Sequence, residues 1–342
     1  MLKNPSQLLF SSTLIAGTLI TASSTNWLSC WVGLEINLLS FIPLMYSLSR
    51  FASESALKYF LVQALASATL LLFIILTSAW YHTNWFSPQL IKCYPLYMMT
   101  SALMLKAGIA PFHFWLPVVA EGLAWTALII LLTWQKVAPF ILILYLAKPN
   151  MFIVTIILLS VLVGALGGVN QTSLRKILAY SSINHMGWMI SALLISETLW
   201  ITYFIMYALL SIAVVSLFRE FNLSYLSQLF GGGNLSSSLK LLVFSSLLSI
   251  GGLPPFLGFL PKWMTIQAMV EAELTGVVIW MVFMSLVTLY FYTRVAYAAM
   301  MMTHSELKWF NLTPLKISSI PAALVMTSVL GLPLCSLTLM IN

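Results

Sequence analysis

Long apolar runs separated by short polar turns fill the sequence from end to end. A membrane-spanning helix needs about 20 apolar residues. By that measure the pattern predicts about eleven segments, near 5–23, 26–48, 54–80, 94–111, 123–147, 151–169, 173–196, 199–220, 239–258, 275–300 and 318–339. The connections are turn-like, as in Ser23-Ser24-Thr25-Asn26 and Lys148-Pro149-Asn150, and the longest polar stretch contains Gly231-Gly232-Gly233. No stretch is long enough to form a separate soluble domain. The expected architecture is an all-α polytopic membrane protein, with residues 1–342 forming one membrane domain.

A weak internal symmetry lies within this pattern. Segments one to five and six to ten form two sets, about 3–148 and 150–300, followed by a C-terminal helix at 318–339. The fourth member of each set is the one interrupted by glycine and proline. In the first set the interruption is Lys106, Gly108 and Pro111; in the second, Gly251-Gly252-Leu253-Pro254-Pro255 leads to Pro261-Lys262. Interrupted spans at matching places in two halves point to a transport site built from discontinuous helices. With five helices in each half, the halves are expected to be inverted in the membrane.

Composition narrows the class further. The chain is 61% hydrophobic and only 7% charged, against roughly 25% charged residues in soluble domains. All eight acidic residues are glutamates. The net charge of +7 does not gather into a dense patch, so a nucleic-acid partner is not expected. Most basic residues sit in short loops: Lys3, Arg50, Lys58, Arg175, Lys176, Arg219, Lys240, Lys308 and Lys316 on one side, Lys92 and Lys148 on the other. The positive-inside rule then puts the N-terminus on the matrix or cytoplasmic side and the C-terminus opposite. Cys30, Cys93 and Cys335 lack the paired spacing of a metal site, an iron–sulfur cluster or a disulfide framework. Neither a cleavable signal nor an arginine-rich presequence is evident.

The candidate chemistry is carried by ionisable residues inside the apolar segments: Glu35, Lys106, Lys136 and His185, with Lys262 just after the second interruption. Lys136 has about a dozen helical residues on either side, or about 17 Å to each end, which is too far for its side chain to snorkel. An unpaired charge at such depth costs at least about 2.5–3.5 kcal/mol, so each should face a partner or internal water. Proline leaves the carbonyl four residues earlier without its donor. Pro111 frees that of Ala107, beside Lys106, and Pro139 frees that of Gln135, beside Lys136. Burial favours the neutral form of an ionisable group, and a nearby opposite charge favours the charged one. A buried lysine whose carboxylate partner moves therefore switches between holding and releasing a proton, as a proton relay requires.

Each of these residues also has a plainer reading. Lys106 is about five residues from its interruption and has the reach to snorkel. Lys262, beside Trp263, fits an interfacial anchor. Glu35 and Lys136 fit a structural ion pair, and His185, in the polar run Ser181-Ser182-Ile183-Asn184-His185, fits a packing histidine. His113, between Phe112 and Phe114-Trp115, is expected at the interface, and Arg294, near a helix end, is expected to snorkel. There is no P-loop and no dinucleotide fingerprint, and no histidine pair is placed for haem. The chain offers a proton path without an energy source, which must come from an ion gradient or from a partner.

Six motifs then bring a known family into view: GLEINLLSFIPL at 33–44, ALKYFLVQALAS at 56–67, LKAGIAPFHFWLP at 105–117, LTWQKVAP at 132–139, GGVNQTSLRKILAYSSINHMGWM at 167–189 and GGLPPFLGFLPKW at 251–263. In these, and in their order over most of its length, the chain closely resembles the subunit 2 family of mitochondrial NADH dehydrogenase, the antiporter-like membrane subunits of respiratory complex I. Glu121-Gly122-Leu123-Ala124-Trp125 resembles arthropod versions; vertebrate ones place a glutamate where this chain has Val118.

The resemblance implies two inverted five-helix repeats, each with a broken helix, and animal forms lacking three N-terminal helices of bacterial relatives. It implies that Glu35 pairs with Lys106, the broken-helix lysine, and that Lys136 is the central lysine. Lys262 is then the lysine of the second broken helix, towards the proton exit, and His185 a polar position on the connecting axis. It implies proton translocation across the mitochondrial inner membrane, with no cofactor in this chain: NADH, FMN, iron–sulfur clusters and ubiquinone are expected in partner subunits. Expected neighbours are other membrane-arm subunits, including an antiporter-like one and the small glutamate-bearing one, together with lipids such as cardiolipin. A stand-alone cation/proton antiporter and a non-pumping structural subunit remain as alternatives.

Overall fold

The computed structural model describes residues 5–47, 49–82, 90–147, 149–231, 237–301, 322–329 and 331. These are helices joined by turns; among them the only extended pairing is an isolated bridge between Ser173 and Tyr225. Packing divides the chain into two compact units, residues 1–156 and 157–342. The first contains α1 (Pro5–Ser23), α2 (Trp27–Met45), α3 (Arg50–His82), α4 (Leu90–Ala107), α5 (Trp115–Gly122), α6 (Trp125–Leu132) and α7 (Trp134–Leu146). Helix α8 (Met151–Val169) begins in the first unit and runs into the second. The second continues with α9 (Leu174–Ile195), α10 (Glu197–Glu220), α11 (Leu226–Gly231), α12 (Ser237–Gly251), α13 (Phe259–Glu271) and α14 (Thr275–Met301).

Among the described residues, six helical runs are long and apolar enough to cross a membrane: 27–45, 50–79, 125–146, 151–169, 197–220 and 275–297. The chain is thus an all-helical membrane protein. Most of the expected segments correspond to one helix each, with ends moved by a few residues. The segment expected at 123–147 is the run 125–146, divided at Thr133 into α6 and α7. The Thr133 hydroxyl donates to the Ile129 carbonyl at 2.6 Å, and its own amide donates to the same oxygen at 3.0 Å. Such back-bonding bends helices. The expected helix at 318–339 falls largely outside the described residues, of which 322–329 are helical.

Both interruptions close a helix in the same way. After α4, Gly108 has φ +78°. Its amide turns back to the Met104 and Leu105 carbonyls at 2.9 and 3.2 Å, and the Ile109 amide returns to Met104 at 3.0 Å. After α12, Gly252 has φ +83°. Its amide bonds the Leu248 and Ser249 carbonyls, both at 3.1 Å, and the Leu253 amide returns to Leu248 at 3.4 Å. This is a glycine-closed helix end, which the left-handed backbone of glycine permits. Pro111 and Pro254-Pro255 then keep the helix from resuming. The chain re-enters helix only at α5 and α13, both too short to register as spans of their own.

Within each unit, small residues let helices approach closely, the packing mode available where lipid is as apolar as the side chains. A Cβ on Gly33 of α2 would lie 2.6 Å from the Thr21 methyl of α1, and one on Gly17 would lie 3.0 Å from the Asn37 amide nitrogen. In the second unit, a Cβ on Gly164 of α8 would overlap the backbone of Asn184. A Cβ on Gly187 of α9 would lie 2.5 Å from the Ser160 hydroxyl. Helix α9, which carries the serine–asparagine–histidine run, has seventeen of its 22 residues buried. Its polar groups therefore face protein, as polar groups at membrane depth must.

Candidate functional site

Lys106 occupies the last turn of α4, directly before the glycine-closed end. Its Nζ lies 4.0 Å from Glu35 Oε1 of α2. The lysine side chain is only 3% exposed and that of the glutamate 26%, so the pair is asymmetric: a buried amine faces a carboxylate with partial access to its surroundings. Glu35 Oε1 is itself buried and makes no hydrogen bond. The snorkelling alternative for Lys106 is thereby closed. The freed Ala107 carbonyl, an expected acceptor, is not among the contacts of Lys106, which is directed at Glu35 instead. The end of α4 is held by neutral donors: Gln63 Nε2 of α3 donates to the Lys106 carbonyl and Trp115 Nε1 of α5 to the Leu105 carbonyl, each at 3.1 Å.

A second polar strand links the Glu35 helix to the Lys136 helix. Gln135 Nε2 of α7 donates to Asn37 Oδ1 of α2 at 2.9 Å, and the Tyr59 hydroxyl of α3 donates to Gln135 Oε1 at 3.3 Å. Asn37, Tyr59, Gln63, Gln135 and Lys106 line a cavity of about 20 Å³. A water needs about 10–15 Å³ and two to four polar partners, so the space fits one. Lys136 follows Gln135 in the first turn of α7 and is 1% exposed. Sequence reasoning singled out the ionisable groups and passed over Asn37, Tyr59, Gln63 and Gln135. Their one sequence signal was a neutral polar residue within an otherwise apolar motif.

In the second unit, His185 of α9 lies with its Nδ1 3.0 Å from the Tyr203 hydroxyl of α10. Its ring centroid is 5.1 Å from that of Tyr207, one turn further along α10. Tyr207 also bonds the Ser182 side chain. The Ser181 and Ser182 hydroxyls give their protons to the carbonyls of Leu178 and Ala179, which leaves their oxygens as acceptors. Lys262, in the first turn of α13, reaches back across the interruption, and its Nζ donates to the Gly251 carbonyl at 2.8 Å. In a continuous helix that carbonyl would accept from residue 255, which is a proline and has no N–H. The same Nζ stands 5.9 Å from the centroid of the Trp188 ring, within cation–π range.

Lys262 is 5% exposed and directed into the protein, unlike the anchor considered above, whereas the neighbouring Trp263 is 55% exposed. His113, expected at the interface, is buried inside the first interruption. Its Nδ1 is 3.2 Å from the Pro111 carbonyl and its ring packs against Phe114. Arg294 is exposed on α14. Among the described residues, no three His, Cys or Glu side chains come together as a metal site.

The chain as a whole has counterparts among known proteins. A family model described as NADH:quinone oxidoreductase/Mrp antiporter, TM, matches residues 24–288. NADH-ubiquinone oxidoreductase chain 2 of Anopheles gambiae is 47% identical, covering 98% of this chain and 98% of its own length. The chain 2 protein of the mammal Dasypus novemcinctus is 39% identical, covering 96% and 97%. Among solved structures, a chain of respiratory complex I from Thermus thermophilus matches with a TM-score of 0.78 and 26% identity, covering 96% of this chain and 79% of that one. By these matches and its own geometry, the chain belongs to the NADH:quinone oxidoreductase/Mrp antiporter transmembrane family, and within it to the relatives named NADH-ubiquinone oxidoreductase chain 2.

Proposed function

We propose that the chain is a membrane subunit of NADH:ubiquinone oxidoreductase, respiratory complex I, that contributes to proton translocation across the mitochondrial inner membrane. The reading rests first on the family and on the names of its relatives. The observation that carries it from family to mechanism is Lys106, a buried amine 4.0 Å from Glu35 at the end of an interrupted helix. At that separation two unit charges still attract, and a shift of one to two ångströms either makes the hydrogen bond or releases it. A change at a neighbouring subunit that moves Glu35 would alter the charge on Lys106. The proton then passes to Lys136 and onward by way of His185 to Lys262. Sulfur and histidine clusters play no part in this reading; electron transfer, with NADH, FMN, iron–sulfur clusters and ubiquinone, belongs to partner subunits. The N-terminus faces the matrix and the C-terminus the intermembrane space.

The neighbours in this reading are an antiporter-like membrane-arm subunit and the small glutamate-bearing subunit, with lipids such as cardiolipin around them. Replacing Lys136 with methionine in an assembled complex tests the relay. Methionine keeps most of the volume and removes the protonatable amine. Coupled proton translocation per assembled complex should fall while the complex still forms. Unchanged protons per NADH with normal assembly would remove Lys136 from the path. Loss of assembly with unchanged protons per electron would favour a non-pumping structural subunit. Purification without any flavin-containing assembly would favour a stand-alone antiporter.

A further inference from the structure

We propose that the cavity between the end of α8, the start of α9 and α14 binds an anionic phospholipid, whose phosphate is held by Arg294. The inference rests on the membrane fold and is independent of the proton relay. The cavity measures about 410 Å³ and lies wholly within the second unit; ligand pockets run to about 300–1,000 Å³. Its polar lining is Asn170, Gln171 and Thr172, from the turn between α8 and α9, together with Arg294 of α14. The remaining lining is apolar and includes Ile177 and Phe291. Among the described residues that line it, Arg294 is the one charged group, and none is a carboxylate.

The rim is held in place by the backbone. The Leu174 amide donates to the Ser224 carbonyl and the Leu226 amide to the Thr172 carbonyl, each at 3.0 Å. These bonds flank the bridge between Ser173 and Tyr225 and tie the turn to a second stretch of chain. Gly168 at the end of α8 lets the Phe291 ring approach, since a Cβ there would lie 2.9 Å from Phe291 Cε1. The backbone is thus engaged while the side chains are not: among the described residues, those of Asn170, Gln171, Thr172 and Arg294 make no hydrogen bond or ion pair. The turn stands at helix ends, and Arg294 lies near the end of the apolar run 275–297. A cavity lined by both sits at the depth of lipid headgroups, where basic pockets between helices suit anionic lipids.

The lining selects among occupants. A guanidinium presents paired N–H donors that match two oxygens of a phosphate. The amides of Asn170 and Gln171 and the Thr172 hydroxyl supply further donors for phosphate or ester oxygens. Glycerol and acyl carbons then cover Ile177 and Phe291. A free phosphate ion would satisfy Arg294 but leave that apolar lining to water. A choline headgroup would bring a second cation to a lining with no carboxylate to receive it. An arginine that merely snorkels needs no cavity and orders no lipid.

The test is electron cryo-microscopy of the assembled complex in nanodiscs of phosphatidylglycerol diluted in phosphatidylcholine, for the unaltered chain, Arg294→Gln and Arg294→Lys. The unaltered cavity should hold a phosphate about 2.7–2.9 Å from Arg294, with chain density over Phe291 and Ile177. In Arg294→Gln the phosphatidylglycerol fraction that half-fills the cavity should rise about tenfold, the factor expected for losing a hydrogen bond to a charged group. Arg294→Lys keeps the charge without the fork and should fall between. Discs of phosphatidylcholine alone, with inorganic phosphate in the buffer, separate the sources. An isolated phosphate without chain density in both kinds of disc overturns the lipid. Equal filling by phosphatidylcholine overturns the anionic preference, and unchanged filling in Arg294→Gln overturns the role of Arg294. A cavity holding only water, or a segment of a neighbouring subunit, overturns the proposal outright. The arms with the unaltered chain decide this even where a variant fails to assemble. No protons are counted, so failure of the relay in Lys136→Met leaves these outcomes as they stand.

Discussion

Alanine at Gly252 probes the second interruption and its lysine together. At φ +83° an L side chain costs about 1–2 kcal/mol. The new methyl would also lie 3.0 Å from Lys262 Nζ, 3.1 Å from its Cδ and 3.3 Å from the Gly258 carbonyl. The lysine end is the flexible party, so it yields, and the bond from Nζ to the Gly251 carbonyl is the interaction that it gives up. Hydrogen bonds of charged groups contribute about 1.5–3 kcal/mol. Together the two effects amount to about 2.5–5 kcal/mol. Gly108→Ala is the matched control. It carries similar backbone strain at φ +78°, but its methyl meets Leu116 Cδ1 at 2.7 Å and Trp115 Cζ2 at 3.2 Å rather than an amine. Content of assembled complex on native gels and its thermal midpoint report the strain; protons per NADH in vesicles report the displaced lysine. Both variants should lower the midpoint, and Gly252→Ala should lower proton translocation per assembled complex more. A Gly252→Ala complex with an unchanged midpoint would refute the strained-glycine reasoning, and equal translocation in the two variants would refute the part that concerns Lys262.

Two further substitutions address the packing around the candidate site. Glu35→Gln leaves Lys106 buried without its carboxylate; the lowering of complex stability should stay below the about 3–5 kcal/mol of a fully buried pair, because Glu35 is a quarter exposed. Thermal unfolding of the assembled complex measures it, and a rise in stability would show that the 4.0 Å pair is not attractive. Gly164→Ala forces a methyl into the Asn184 backbone at the α8–α9 crossing. It should cost about 1–3 kcal/mol, as overpacking does, and reduce assembled complex. Normal assembly would mean that the two helices separate freely.

The fold class, the apolar segments and both interruptions were legible because each is written in local chemistry. Twenty apolar residues have few soluble alternatives, and Gly108 with Pro111, like Gly252 with Pro254-Pro255, prohibits helix wherever it occurs. Glu35, Lys106, Lys136, His185 and Lys262 stood out because charge or a titratable ring in an apolar run is costly. What escaped needed knowledge of which helices meet. Thr133 looks like any small residue in an apolar run, and only its bonds to Ile129 mark the division of α6 from α7. The eight residues of α5 and thirteen of α13 fall below the length that announces a span. Gln63, Gln135, Asn37 and Tyr59 carry no charge, so their selection depends on partners 43 to 98 residues distant in sequence.

The two interruptions share one backbone device but place their lysines on opposite sides of it, and this separates what governs each charge. The α4 end has its Leu105 and Lys106 carbonyls taken by Trp115 and Gln63. The negative end of that helix is thus already satisfied by neutral donors, and the ammonium of Lys106 is left to Glu35, a carboxylate on another helix. The α12 end has a carbonyl that Pro255 cannot serve, and Lys262, entering from α13, serves it directly. A cation at a helix C-terminus is favoured by the helix dipole, so Lys262 retains a partner fixed in the backbone whatever happens to side chains elsewhere. Lys106 depends on a side chain that has room to move; Lys262 depends on one that does not. A proton relay needs both kinds, one amine whose charge a neighbour can change and one that receives and holds the proton until it is released. Moving the carboxylate distinguishes them: Glu35→Asp, one methylene shorter, should disturb the charge on Lys106 and leave the Lys262–Gly251 contact as it is. A structure of the variant complex in which that contact changed as much as the Lys106 environment would sink the distinction.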